Sequence, residues 1–169
     1  MMKPVIREYE PGDFDACRGL WNQLTEHHRE IYDDHSIGGA DPGRGFEVYM
    51  VHPKRHMTWV AEIEGRVIAM VGLLVDGEEG EIEPVVVSVT HRRQGIGRSL
   101  IEHVVEEARA TGLRYLSVRP VARNREAIAF FVQSGFDLLG HIDLFQALPG
   151  SPDTRWKRGI SIHWHELGY

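Results

Sequence analysis

Along this chain apolar residues return at two periods, about 3.6 and about 2, and the points where one gives way to the other mark the elements. Residues 4–8 read as a short strand. The turn Pro11-Gly12-Asp13 follows, with Asp13 placed to cap a helix. Phe14, Cys17, Leu20, Trp21, Leu24 and Ile31 then recur at helical spacing, which predicts an amphipathic helix to about Tyr32. Residues 33–45, DDHSIGGADPGRG, have no period and many turn formers, so they predict a loop, with a short helix near residues 46–51. A loop of that length inside a compact domain is usually functional or mobile.

Two apolar runs, 58–64 and 67–75, are joined at Gly65-Arg66 with the length of a hairpin turn, and a second hairpin turn at 76–80 leads into a valine-rich strand over 81–89. Three consecutive antiparallel strands are therefore expected. The following helix carries Leu100, Ile101, Val104, Val105 and Ala108 inward and ends near Thr111-Gly112, where glycine adopts the left-handed cap. Residues 113–118 read as a buried strand, parallel to 81–89 because a strand-helix-strand crossing returns that way. A loop over 119–124, a helix over 125–134 and strands over 136–147 and 159–166 complete the pattern. The fold class is α/β, with a mixed central sheet flanked by helices in a single domain over residues 1–169.

The chain is organised around 81–97, EIEPVVVSVTHRRQGIG, which passes directly into the helical run RSLIEHVVEEARATG. Gly95 and Gly97 let the backbone turn tightly and approach a ligand, and the first amides of the helix have no intrahelical acceptor. Those amides and the positive end of the helix dipole suit a phosphate or pyrophosphate, with Arg92, Arg93 and Arg98 adding charge around it. A P-loop is excluded because no lysine stands near Gly95. A dinucleotide fingerprint is excluded because the third glycine position holds Leu100.

Charge sharpens that picture. The net charge of -6 argues against a nucleic-acid partner, yet eight of the 19 basic residues, all Arg, lie between His91 and Arg125, whereas 17 of the 25 carboxylates lie at or before Glu83. One half suits an anion and the other a cation, such as an amine. One cysteine forms no internal disulfide, and no apolar run of membrane length is present, so a cytoplasmic protein without membrane contact is expected.

Read as Arg92-Arg93-Gln94-Gly95-Ile96-Gly97 after Val85-Val86-Val87, with Asn124, Ala127, Phe130-Phe131 and Gly135-Phe136 downstream, the constellation resembles the GNAT superfamily of acyl-CoA-dependent N-acyltransferases. The resemblance is specific from about residue 60 to 136. It implies acetyl-CoA as cosubstrate without a metal, and transfer of an acetyl or short acyl group to an amine by direct attack in a ternary complex. The acceptor side would be the first helix, the 33–45 loop and the C-terminal segment. Acceptors in view are a small cationic amine (a polyamine, an aminoglycoside or an amino-acid derivative) or a peptide amino group. A homodimer is a further implication.

The resemblance also assigns residues. Residues 92–97 with Arg98 and Ser99 form the pyrophosphate site. The backbone of Val87 and Val89, exposed where 81–89 and 113–118 splay apart, would bond the pantetheine arm, and Asn124 would bond the cofactor, cap the following helix, or do both. Glu81 and Glu83 share one strand face, and either is the candidate base; burial moves a carboxylate toward the working range. Phe131 stands in the cofactor site where many members have a tyrosine that protonates the leaving thiolate. Tyr32 and Tyr115 are possible replacements, and the substitution motivates a non-catalytic acyl-CoA sensor as the rival reading. His28 and Tyr32, with His27 and His35, are candidates for the acceptor pocket against a solvated helix face. Cys17 reads as a buried inert thiol rather than a nucleophile, and His163 and His165 as structural rather than metal-binding.

Overall fold

A computed structural model describes residues 3–141 of the chain. Its elements are β1 (Val5–Glu8), α1 (Phe14–Tyr32), α2 (Gly45–Met50), β2 (Arg55–Ile63), β3 (Arg66–Asp76), β4 (Glu79–Val87), α3 (Ile96–Ala110), β5 (Tyr115–Ser117) and α4 (Arg125–Gln133). The five strands form one sheet in chain order, antiparallel from β1 to β4, with β5 parallel to β4. This is the mixed α/β sheet the periodicity predicts.

Each face of the sheet carries one core. On one side Trp59, Ala69, Val71 and Leu73 meet Ile96, Leu100, Ile101 and Val104 of α3. On the other, Val60, Met70, Leu74 and Val86 meet Cys17 and Leu20 of α1 and Phe46 and Tyr49 of α2. Val60, Val71, Leu73, Leu100 and Val104 are fully buried, and each stabilises the fold by about 1.5–3 kcal/mol.

Several local expectations are corrected. The first hairpin turn is Glu64-Gly65, not Gly65-Arg66: Ile63 pairs with Arg66, and both turn residues have positive φ, 51° and 74°. That is the type I′ geometry whose twist matches the flanking strands. Asp13 does not cap α1. Arg7 on β1 holds both of its oxygens, at 2.7 and 2.8 Å, and the Glu10 amide donates to it at 2.9 Å. The valine-rich strand ends at Val87, because Val89–His91 wind into a 3-10 turn. β5 is shorter than 113–118 and only partly buried: Leu113, Leu116 and Val118 pack toward α3, whereas Tyr115 remains 62% exposed. Within the expected strand 136–147, residues 136–141 carry a single bridge residue at Leu138. The rest of that strand, and all of 159–166 with His163 and His165, lies outside the described residues.

One irregularity decides where the functional groups point. Leu73 pairs with Ile82 and Val71 with Val85, so Gly72 alone faces Glu83 and Pro84: β4 carries a bulge there. The extra residue reverses the pleat. Before it, Ile82 belongs to the α3 core and Glu81, paired with Leu74, faces the α1/α2 side. After it, Val86 joins the α1/α2 core and Val85 and Val87 pack toward α3. Gly72 makes the bulge possible, since a Cβ there would lie 1.9 Å from the Tyr49 Oη and 2.3 Å from the Glu83 carbonyl.

Candidate active site

β4 and β5 part company midway along β4. Glu79, Gly80 and Glu81 pair with Tyr115, Leu116 and Ser117, and no described residue of β5 pairs with β4 beyond Glu81. From Val85 to Val87 the strand is held by β3 alone. Ser88 donates its N–H to Ile68 O at 2.8 Å, so by the alternation of the pleat Val87 turns its own N–H and C=O the other way, toward the gap. The Val87 carbonyl there accepts from Arg92 Nε at 3.2 Å. Val89, the second backbone candidate, lies past the end of the strand, and its N–H donates to Gln23 Oε1 of α1 at 3.1 Å. Gln23 carries no motif signal, and only the docking of α1 brings it there.

The gap leads to the N-terminus of α3. Arg93 has φ 60°, and Gly95, at φ 82°, occupies the helix N-cap position without any side-chain cap. The first-turn amides of Ile96, Gly97 and Arg98 have no acceptor within the helix; Ser99 is the first to bond back, to Gly95 O at 3.0 Å. Gly97 serves close packing, since a Cβ there would meet Phe130 Cζ at 3.3 Å and Val87 Cγ2 at 3.7 Å. The arginines are less concentrated than the sequence suggests. Arg93 reaches Glu126 of α4 at 2.9 Å, and Arg98 runs along α3 to Glu102 at 2.9 Å, away from the first turn. Both pairs are exposed, so they exchange readily for a stronger anion. Gln94 lies in the turn with its amide 3.5 Å from Thr90 O.

On the α1/α2 side, below the fork of β4 and β5, lies a cavity of about 260 Å³ lined by Glu81, Glu83, His52, Lys54, Ser117 and Arg119, among others. Glu81 accepts from Arg119 Nη1 at 3.0 Å, with its side chain 18% exposed. Glu83 has no ion pair among the described residues. Its surface is largely open to solvent, yet the cavity walls crowd it. That desolvation, and then the neighbouring Glu81, push its carboxyl above the usual range, while His52 and Arg119 oppose the shift. Tyr49 of α2 is buried close to the Glu83 backbone: its hydroxyl bonds Thr58 Oγ1 at 2.8 Å, and burial pushes it up to about 12.

The remaining candidates fall outside this cavity. His28 lies on α1, its pKa lowered by burial and then by His27. Tyr32, at the end of α1, lies under the Arg123 guanidinium, 5.0 Å from its ring centre. Neither lines the cavity, and nor does any residue of 33–45. That loop is tied to α1 by Arg29, which donates to Ile37 O at 2.8 Å and Gly39 O at 2.6 Å, and by Thr25, which donates to Pro42 O at 2.9 Å. Asn124 caps α4, its Oδ1 accepting from the Ala127 amide at 3.0 Å. Phe131 packs between Phe130 and Phe136, 5.2 and 5.9 Å from their ring centres. The Cys17 thiol is fully buried and pushed up to about 12 by that burial. Among the described residues no group of three or more His, Cys, Asp or Glu could hold a metal ion, and no helix is long and apolar enough to cross a membrane.

Comparison with known proteins agrees with this architecture. The chain is 28% identical over 155 residues to the uncharacterized N-acetyltransferase YjgM of Escherichia coli, covering 89% of this chain and 90% of that protein. It is 29% identical over 84 residues to the ribosomal protein bS18-alanine N-acetyltransferase of E. coli, covering 50% of this chain and 57% of that one. A crystal structure of the E. coli ribosomal-protein-S18-alanine N-acetyltransferase superposes with a TM-score of 0.63 at 21% identity, over 82% of this chain and 80% of that one. AAC(6')-Iy, solved with the bisubstrate analogue CoA-S-monomethyl-acetylneamine, superposes with a TM-score of 0.63 at 14% identity, over 87% and 99% of the two chains. The model of the acetyltransferase (GNAT) family matches residues 19–136, the span that contains the forked strands, the glycine turn and the glutamate cavity; the chain belongs to that family of acyl-CoA-dependent N-acyltransferases.

Proposed function

We propose that this protein transfers an acetyl or related short acyl group from acetyl-CoA to a primary amine by direct attack in a ternary complex, with Glu83 as the base. The observation that carries this reading is the division of β4: Glu81 and Glu83 front a cavity on one side of the bulge, and the free edge from Val85 to Val87 leads from the fork to the bare amides of α3. The α3 turn suits the diphosphate, Gly95 by its left-handed φ and Gly97 by leaving no side chain between α3 and Phe130. Val87 offers backbone groups that an amide-bearing arm can take from Arg92.

Of the two glutamates, Glu81 is engaged by Arg119, whereas Glu83 is unpaired and raised. A base needs a free lone pair and a pKa closer to the working pH. In the transfer, the amine nitrogen bonds the acyl carbon, the carbon–sulfur bond breaks, and the amine proton passes to Glu83. With Phe131 carrying no hydroxyl, water protonates the departing thiolate, a tolerable leaving group near neutral pH. The cavity's size and acidic lining suit a small cationic amine or the amino end of a peptide, the latter in line with the named activity of the E. coli bS18-alanine enzyme. A cytoplasmic setting, from the single cysteine, and a homodimer, from the family resemblance, complete the reading.

Release of free thiol from acetyl-CoA, followed across a panel of amines and amino-terminal peptides, tests it. Glu83→Gln is expected to lower the rate by about 10²–10⁴ while donor binding stays within about twofold. Normal turnover by Glu83→Gln refutes the base. Donor binding with no amine-dependent release anywhere in the panel favours the sensor.

A further inference from the structure

We infer that Arg119 is a positioning residue: by clasping Glu81 across the fork of β4 and β5, it keeps Glu81 engaged, so that of the two candidate bases Glu83 is the one that serves. The inference rests on the reading of Glu83 given above.

The register places the clasp. Glu81 pairs with Ser117, the last residue of β5. Arg119 stands two residues on, and both it and Ser117 line the cavity. Its Nη1 reaches back to Glu81 Oε2 at 3.0 Å, across the point where the strands separate. The ion pair therefore closes the fork at its root, and the gap along Val85 to Val87 begins just beyond it.

The electrostatic consequence follows from spacing. Two residues apart on one face of a strand, the Cα atoms of Glu81 and Glu83 are about 7 Å apart, close enough for each carboxylate to oppose ionisation of the other. Other charged groups also face Glu83. His52 and Lys54 approach from the segment before β2, Asp76 from β3 and Glu79 from β4, and the buried Tyr49 hydroxyl of α2 is close enough to interact with Glu83 electrostatically. Lys54 is engaged with Asp76 at 2.5 Å, and His52 Nδ1 accepts the Lys54 amide at 3.2 Å, which leaves any ring proton to Nε2. Those two contacts balance on their own. Loss of Arg119 removes a cation that itself opposes the rise of Glu83, and it also leaves Glu81 as an uncompensated anion on Glu83's own strand face.

Titration of the Glu83 carboxyl carbon by NMR in the donor-free protein reads this without any need for turnover. In Arg119→Gln the Glu83 midpoint is expected to rise by about half a pH unit, a modest shift because the Arg119 side chain is 73% exposed. Arg119→Lys should restore most of it by restoring the charge, and Glu81→Gln should move the midpoint downward. In the active enzyme the acid limb of the pH–rate profile should follow in the same directions. A Glu83 midpoint that stays put in Arg119→Gln overturns the inference, as does one that moves equally in Arg119→Lys. So does one that rises just as far when Arg119→Gln is made on the Glu81→Gln background, where only the direct effect of Arg119 on Glu83 remains. If Glu83→Gln retains full turnover while the titration shifts as described, the base assignment fails and the clasp stands. If Glu83→Gln is inactive and the titration does not move, only the clasp fails.

Discussion

The Tyr49 hydroxyl lies where a β-carbon on residue 72 would have to stand, 1.9 Å from that position, with the Glu83 carbonyl 2.3 Å away on the other side. Gly72→Ala should therefore cost about 3 kcal/mol or more, because neither neighbour yields cheaply. Adding Tyr49→Phe removes the hydroxyl but not the carbonyl, so the double variant should recover only a small part of the loss. Urea unfolding of the three variants decides it, and full recovery in the double variant would show that the bulge backbone moves freely.

Asp13 and Arg7 make stability depend on pH with a definite sign. Arg7 holds the Asp13 carboxyl below the usual range, chiefly through their hydrogen bonds, against the opposing effect of burial. A depressed folded-state value contributes stability that is complete above the ordinary carboxylate range, about 4, and is lost as pH falls through the depressed value. Asp13→Asn should cost about 2 kcal/mol at neutral pH, allowing for the partly exposed Arg7, and the gap from wild type should narrow in strong acid. Urea midpoints of both proteins across pH give the test.

Asn124→Ala should cost about 1 kcal/mol through loss of the cap on the Ala127 amide, and Asn124→Asp should keep that stability. Donor affinity separates capping from ligand contact. If Asn124 only caps, Asn124→Asp binds acetyl-CoA as wild type does; a clear loss of affinity in that variant assigns a direct contact as well.

Cys17 should resist alkylation in the native state up to mildly alkaline pH, since its thiol is fully buried and raised to about 12. Labelling should track global unfolding as denaturant is added. Rapid stoichiometric labelling of native protein would contradict the packing of α1.

Gly97→Trp should abolish donor binding, because the space beside Phe130 and Val87 admits no large side chain without displacing the first turn of α3. Calorimetric titration with coenzyme A reads the outcome, and circular dichroism confirms that the sheet is retained.

What the sequence revealed and what it hid divide along the range of the forces involved. The turn from Arg92 to Gly97 was legible because glycine conformation and bare helix-start amides are local. So were α1, α3 and the hairpins, whose apolar periods need no partner to be read. Asp13 misled because a short acidic residue before an apolar helix is an equally good cap and ion-pair partner, and no local pattern marks Arg7, six residues earlier, as the group that takes both of its oxygens. His28 and Tyr32 share a helix with Gln23, yet only the angle at which α1 docks decides which side chain meets Val89. The face switch in β4 depends on register with β3, which no stretch of β4 encodes by itself. Its one local trace is Pro84, since proline inside a strand is confined to edges and bulges.

That face switch gives the two halves of a single strand separate tasks. Odd-numbered positions upstream of Pro84 look into the glutamate cavity, while odd-numbered positions downstream are committed to the packing against α3. On the reading proposed above, Glu79 can be rewritten to accommodate a new amine while Glu81 and Glu83 keep the chemistry and Val85 and Val87 keep their places, so selectivity can drift, or be redesigned, without renegotiating how the acyl carrier is seated.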